Sequence, residues 1–289
     1  MTDDPFVDHR RLLFTVAYEM LGSAADAEDV VQEAWLRWAG LDDAVRADVR
    51  DPRAYLVRTV TRQALNQLRT VSRRREEYVG EWLPEPLLTG PDVADDVELA
   101  ESVSFAMLTV LETLGPTERA VFVLREVFDA PYDEIAAAVD KSPAAVRQIA
   151  TRARDHVASR RPRATVSAAE QQVVVERFLA AIDGGDLQAL LDVMAPDVVL
   201  TSDGGGVVQA AQRPITGART VGRLLVRLQG MVETGTMWIN GAPAVRLDLE
   251  GALDTVVSVA VADGRITRIY AVRNPHKLGR VGEEAALGR

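Results

Sequence analysis

PYDEIAAAVDKSPAAVRQIATRARDHV, residues 131–157, decides how this chain is read. Ile135, Ala136 and Val139 fall at helical spacing and predict a short helix. Asp140-Lys141 then makes a turn. Ser142 is a good N-cap because its hydroxyl can accept an orphan backbone N–H, and Pro143 suits the first helical position, where no N–H is needed. The helix that follows buries Val146, Ile149, Ala150, Ala153 and Val157, and exposes Arg147, Gln148, Thr151, Arg152 and Arg154. A short helix, a tight turn and a helix with a polar, basic face are the layout of a helix-turn-helix. Arginine, glutamine and threonine on such a face can reach base edges and phosphates in a major groove.

Working outward, Pro116 opens a helix with Val121, Leu124 and Phe128 inward, so a second helical domain is expected over 99–163. Upstream, 76–98 lacks periodicity and holds Trp82-Leu83-Pro84-Glu85-Pro86 and Gly90-Pro91; prolines this close exclude a helix interior. It reads as a linker whose Trp82 packs on something. Before it, two apolar stripes predict a pair of helices: Leu12, Leu13, Val16, Ala17, Met20 and Leu21, then Ala27, Val30, Val31, Ala34, Trp35 and Trp38. Asp51-Pro52 opens a third, burying Leu56, Val60, Ala64, Leu65 and Leu68 with Arg58, Arg62, Asn66 and Arg69 on its other face. This first domain covers 1–75. The stripe places both Trp35 and Trp38 in the core.

Charge sharpens the reading. The chain has a net charge of −10, yet residues 53–75 carry seven arginines and no acid. Residues 141–163 carry seven bases against Asp155. Cationic segments on an acidic body can touch phosphate locally while the whole resists non-specific DNA binding, so a larger partner must bring the protein there. There is no cysteine, which excludes disulfides and zinc–thiolate sites. No apolar run has the roughly 20 residues that span a bilayer. MTDDPFVDHRR at the start has no signal-peptide core after it, and a cytoplasmic protein is expected.

The character changes at Ala168. Two helices over 169–194, broken at Asp183-Gly184-Gly185-Asp186, precede β-prone runs at 198–200, 244–249, 255–261 and 266–272. Asp263-Gly264 is a hairpin signal. An α+β domain with a curved sheet is expected over 168–289. Its acid/base candidates are Asp197, Asp203, Asp254 and His276, with Asp203 placed in a turn by the three glycines after it.

DAEDVVQEAWLRWA at 26–39 resembles the polymerase-binding helix of sigma domain 2. DPRAYLVRTVTRQALNQLR at 51–69 resembles the helix that recognises and melts the promoter −10 element. LGPTERAVFVLREVFDAPYDEIAAAVDKSPAAVRQIATRAR at 114–154 resembles sigma domain 4, which reads the −35 element. The pairing is similar to the extracytoplasmic-function (ECF) sigma factors. WLPEP at 82–86, DGGG at 203–206 and NPHKL at 274–278 resemble the signatures of the subgroup with a SnoaL-like C-terminal domain. That pattern has a basic residue after DGGG and an Asp in the last motif, where this chain has Val207 and His276.

The resemblance implies a multidomain fold, two all-α sigma domains followed by a SnoaL-like α+β domain, and a non-enzymatic initiation factor with no cofactor, catalytic residue or metal site. It implies that Asp26, Asp29, Gln32, Glu33 and Trp35 meet core RNA polymerase. Arg58, Arg62, Asn66 and Arg69 would face the −10 strand, and Arg147, Gln148, Thr151, Arg152 and Arg154 the −35 duplex of promoter DNA. Trp82, Pro84, Glu85, Pro86, Asp203, Gly204, Gly205, Gly206, Asn274, Pro275, Lys277 and Leu278 would join the C-terminal domain to the sigma domains and modulate them in cis, with a small-molecule ligand open as a further partner. Two alternatives are a DNA-binding regulator that works without polymerase, and an isomerase carrying a DNA-binding module.

Overall fold

The structure is a computed structural model and describes residues 4–76, 78–160 and 166–289. The chain divides into two compact units: Met1–Glu76, Val110–Arg161 and Ala286–Arg289 in the first, Glu77–Thr109 and Pro162–Ala285 in the second.

The first unit is helical. α1 (Pro5–Leu21) is capped by Asp4 and closed by Gly22 at φ 66°. α2 (Ala24–Ala39) starts on Ser23, whose hydroxyl accepts from Asp26 N–H. The short α3 (Asp43–Ala47) leads to α4 (Pro52–Glu76). The stripes read from the sequence form the core with one exception: Leu13, Val16, Met20, Ala34, Trp38, Leu56 and Val60 are essentially inaccessible, whereas Trp35 is 43% exposed. The correction has a simple cause. Trp38 lies one turn from Ala34 on the buried side and gives its indole N–H to Asp4 at 3.0 Å. Trp35 sits at the stripe's edge, where α1 flanks it without burying it.

In the second sequence module, α5 (Val97–Val103) and α6 (Phe105–Leu111) follow a 3-10 turn. α7 (Pro116–Phe122) then runs into a π-helical turn at Val123–Val127. α8 (Tyr132–Val139) ends on Asp140, left-handed at φ 55°. α9 (Pro143–Arg160) begins where Ser142 caps Ala145 N–H at 3.2 Å. Val146, Ile149, Ala150, Ala153 and Val157 are all buried. The helix-turn-helix is therefore present with the cap, turn and face that its residues specify. A buried arginine ties α7 to α1: Arg119 Nε donates to Glu19 O at 2.8 Å and Nη1 to Glu112 at 2.7 Å.

The second unit is an α+β domain. α10 (Ala168–Asp183) and α11 (Leu187–Val193) lead into a six-stranded sheet. The strands are β1 (Met194–Asp203), β2 (Ile215–Thr216), β3 (Glu233–Ile239), β4 (Ala242–Leu249), β5 (Ala252–Ala262) and β6 (Arg265–Val272), with α12 (Ala218–Leu225) after β2 and α13 (Pro275–Leu278) at the end. Their order is β2-β1-β6-β5-β4-β3, with β1 and β6 parallel. Register shifts in β1, β4 and β5 bend the sheet. Asp263-Gly264 turns between β5 and β6 with both φ positive, as the dipeptide predicts; Asn240-Gly241 does the same between β3 and β4. Neither this second turn nor β3 is among the elements expected from the sequence, although Met237-Trp238-Ile239 before the turn and Ala244-Val245 after it are apolar.

Alternation sorts the strands onto two faces. Val245, Leu247, Val257, Val259, Ile266 and Ile269 meet Val175, Phe178, Leu190 and Val221 of α10–α12. Ala244, Val256, Tyr270 and Val272 point the other way, onto Leu83, Phe105, Leu278 and Val281. The expected linker is thus half of a core. Residues 78–109 fold with the C-terminal domain, although part of that stretch reads as the start of the second helical domain. Apolar Leu83 and Phe105 gain more by covering the sheet than by remaining in water, about 1.5–3 kcal/mol each.

Candidate promoter, polymerase and regulatory sites

The polymerase-facing candidates lie on α2. Asp29, Gln32, Glu33 and Trp35 are exposed, and Leu36 beside them is 56% exposed. Gln32 and Trp35 line a groove of about 420 Å³ with Phe6, Val7, Arg10, Glu28 and Val31. Asp26 differs: its carboxylate accepts from Gln67 of α4 at 2.9 Å, so it joins helix to helix. Phe6, Val7, Arg10 and Leu36 were missed by sequence reasoning; a second helix contributing to the groove has no local signature.

On α4, Arg62, Asn66 and Arg69 are exposed and Arg58 is half-buried. The four share a face because their spacings of three and four follow the helical repeat. Arg62 is engaged: its guanidinium donates to Ala137 O at 2.7 Å, one of the last carbonyls of α8, which have no intrahelical partner. A groove of about 520 Å³ beside it has Tyr55 and Arg58 on one wall and Asp133 and Glu134 on the other. Arg73, Arg74 and Arg75 have side chains outside the described set.

On α9, Arg147, Gln148, Thr151, Arg152 and Arg154 are all exposed, on one side of the helix. Arg154 is also paired, through Nη2 and Nε, to Glu126 at 2.7 and 3.2 Å. Glu126 holds its charge well above the ordinary arginine value, burial opposes slightly, and the Tyr132 hydroxyl adds support. Thr151 gives its hydroxyl to Arg147 O at 3.0 Å.

The three short motifs converge within the second unit. Asp203 is not in a turn: it ends β1 and is fully buried. It accepts from Tyr78 Oη at 2.5 Å, Leu83 N–H at 2.9 Å, Lys277 Nζ at 2.7 Å and Gly205 N–H at 3.0 Å. Lys277, 6% exposed, also donates to Leu83 O at 2.5 Å and lies 3.2 Å from the centroid of the Trp82 ring. Asn274 donates to Tyr78 Oη at 2.8 Å and caps α13. Burial, and then the neighbouring Asp203, push the Tyr78 phenol far above its ordinary value. Pro84, Glu85, Pro86 and Leu278 are buried, whereas Pro275 is exposed. Gly204 is required because a Cβ would sit 2.4 Å from Val208 O; Gly206 has φ 71°.

Tyr78 is the centre of this cluster that no motif announced. Asn240 is a second: its Oδ1 accepts from Leu87 N–H at 3.0 Å and its Nδ2 donates to Val103 O at 2.8 Å. The two departures from the family pattern, Val207 and His276, are both exposed, so neither disturbs these contacts. The acid/base candidates do not converge. Asp254 pairs with Arg273 at 2.8 Å; burial raises its carboxyl, but Arg273 and Thr255 outweigh this and hold it below the usual range. Asp197 and His276 face solvent. Among the described residues no cluster of potential metal ligands occurs, and no helix is long and apolar enough to cross a membrane.

Two helical modules, one bearing a helix-turn-helix and the other an arginine-faced helix beside an exposed tryptophan groove, define a sequence-reading initiation protein. Residues 6–74 match Sigma-70 region 2, and residues 104–157 match Sigma-70, region 4. The chain is 36% identical to "ECF RNA polymerase sigma factor SigJ" of Mycobacterium tuberculosis, over 93% of this chain and 90% of the relative. It is 35% identical to "Probable ECF RNA polymerase sigma factor SigI" of the same species, over 97% and 96%. The crystal structure of the M. tuberculosis extracytoplasmic function sigma factor SigJ superposes with a TM-score of 0.77 at 34% identity, covering 95% of this chain and 97% of that one. The chain belongs to the ECF RNA polymerase sigma factors. It is a promoter-specific transcription initiation factor, not an enzyme, with an α+β domain after its helical modules.

Proposed function

We propose that this sigma factor, acting in the cytoplasm, meets core polymerase through the α1–α2 groove and promoter DNA through the arginine faces of α4 and α9, and that its α+β unit sets that activity in cis. The observation that carries the cis control is the cluster around Asp203. The chain between the two helical modules is not slack: Leu83 is held through both its N–H and its carbonyl by Asp203 and Lys277. A connection anchored this way limits how far and how readily the modules it joins can separate, which a flexible linker would not. On this reading Tyr78 belongs to the control device as much as the three motifs do. The engagement of Arg62 by Ala137 O fits a resting arrangement in which part of the −10 face is covered.

The polymerase surface is tested by Trp35→Ala. A partly exposed tryptophan in a groove is the usual anchor of an interface, and its removal is expected to weaken core binding by about 2 kcal/mol, roughly 30-fold. Folding should be untouched, because Trp35 lies outside the core. Gel filtration with purified core enzyme measures this; undiminished co-elution at limiting concentration argues against α2 as the contact.

The promoter surface is tested on α9. Replacing Arg152 by Ala should weaken holoenzyme binding similarly on all sequences and reduce the slope of log K against log[salt] by about 0.9, the value for one lost phosphate contact. Filter binding between low and moderate salt gives the slope. An unchanged slope removes Arg152 from the DNA face.

A further inference from the structure

Tyr132, the first residue of α8, supports Arg154 through its hydroxyl, and two more arginines meet its ring. Its half-buried ring lies 5.3 Å from the guanidinium carbon of Arg147 and 4.9 Å from that of Arg125. Arg125 is itself fixed, donating to Ala130 O at 3.1 Å and pairing with Asp129 at 2.9 Å. Glu126 holds Arg154 by two hydrogen bonds. Both Arg125 and Glu126 come from the π-helical turn at Val123–Val127. Arg147 and Arg154 are seven positions apart and so share a face of α9, about 10 Å from each other along its axis. They are not equivalent. Arg154 has a carboxylate partner that must be given up before it can reach a base or phosphate. Arg147 is charged, exposed, in the first turns of the helix, and steadied by an aromatic face rather than by an anion.

We propose that Tyr132 is a positioning residue for −35 recognition: its ring holds the Arg147 guanidinium so that this arginine, and not Arg154, supplies the base-reading contact of α9. This rests on the reading of α9 as the −35 helix. An arginine side chain has many rotamers, and a planar guanidinium reads a guanine edge only when both its N–H groups are aligned. A ring beneath it removes wrong rotamers without competing for those N–H groups, because cation–π attraction engages the face and leaves the edge available. A carboxylate does the opposite and occupies the edge.

The test uses full-length protein in holoenzyme, on a promoter obtained by run-off transcription from genomic fragments and on the same promoter with a scrambled −35 element. The readout is the ratio of the two affinities. Arg147→Ala is expected to lower this ratio about ten-fold, as loss of a bidentate base contact does. Tyr132→Leu should lower it about five-fold, while Tyr132→Phe, which keeps the ring, should stay within two-fold. Tyr132→Leu added to Arg147→Ala should lower the ratio no further, a non-additivity that a merely structural role would not produce. Glu126→Gln should leave the ratio unchanged. If Tyr132→Leu does not fold, judged by its helical circular dichroism, Tyr132→Met replaces it with the same expectation. Multiplicative losses in the double variant, or an unchanged ratio in Tyr132→Leu beside a lowered one in Arg147→Ala, overturn the proposal alone. An unchanged ratio in Arg147→Ala, with Arg152→Ala also silent, overturns it together with the assignment of α9.

Discussion

Arg119→Ala is expected to destabilise the helical unit by about 3–5 kcal/mol, the usual cost of removing one partner of a buried ion pair. Arg119 is 2% exposed and Glu19 is inaccessible. Burial drags the guanidinium well below its ordinary value, and the Glu19 carboxylate pulls it back up. The arginine is held in place by the Glu19 carbonyl at 2.8 Å and the Glu112 carboxylate at 2.7 Å. Truncation removes the ion pair with Glu112, adds a cavity, and breaks the bond to the Glu19 carbonyl, which spans 100 positions in sequence. Arg119→Lys should cost nearly as much, because an ammonium cannot reproduce two contacts set by a rigid fork. Urea unfolding followed by circular dichroism at 222 nm measures this, with helix loss reporting mainly on the helical unit. A midpoint unchanged by Arg119→Ala would mean that the contacts of Arg119 contribute nothing to the α1–α7 junction.

The second large effect is expected in the α+β unit. Lys277→Met keeps the length of the side chain and removes its charge, leaving the Asp203 carboxylate fully buried with only neutral donors: Tyr78 Oη and the N–H groups of Leu83 and Gly205. Loss of about 3–5 kcal/mol follows from the same asymmetry. Because Lys277 also holds the Leu83 carbonyl and packs under Trp82, the damage should begin in the connecting segment. Limited proteolysis is expected to cut near 78–90 in the variant before it cuts elsewhere, and the Trp82 fluorescence should shift as its ring is wetted. Run-off transcription by the variant holoenzyme should differ from wild type at equal occupancy of core. His276→Asp, one position away but exposed, should change stability by less than about 0.5 kcal/mol. Equal effects from the two substitutions would show that the cluster is not the clamp on the connecting chain.

Local chemistry made much of the fold legible in advance. The α1, α2, α4 and α9 stripes, the Ser142 cap before Pro143, the break at Asp183–Asp186 and the Asp263-Gly264 turn depend on neighbours within a few positions, and each occurs where the residues require it. Trp35 and Trp38 mark the boundary of that method. Both fit one period, but periodicity states which face is apolar, not how wide a strip the adjoining helices cover, and one ring ended in the core and the other in solvent.

The sequence by itself determined the modules, their order and the arginine-bearing faces, because helix periods, caps and turns are written in contacts of short range. Tertiary structure alone decided that the connecting segment belongs to the α+β core, that Asp203 is a buried hub and not a turn residue, that Tyr78 completes it, and that Arg62 and Arg154 already have partners. Those outcomes rest on pairs as far apart as Tyr78 with Asp203, 125 positions, and Lys277 with Leu83, 194 positions. Over such separations no local pattern says which carboxylate will meet which cation. The choice is made by the sheet, which brings the end of β1 beside the helix after β6, where Lys277 meets the buried Asp203 carboxylate.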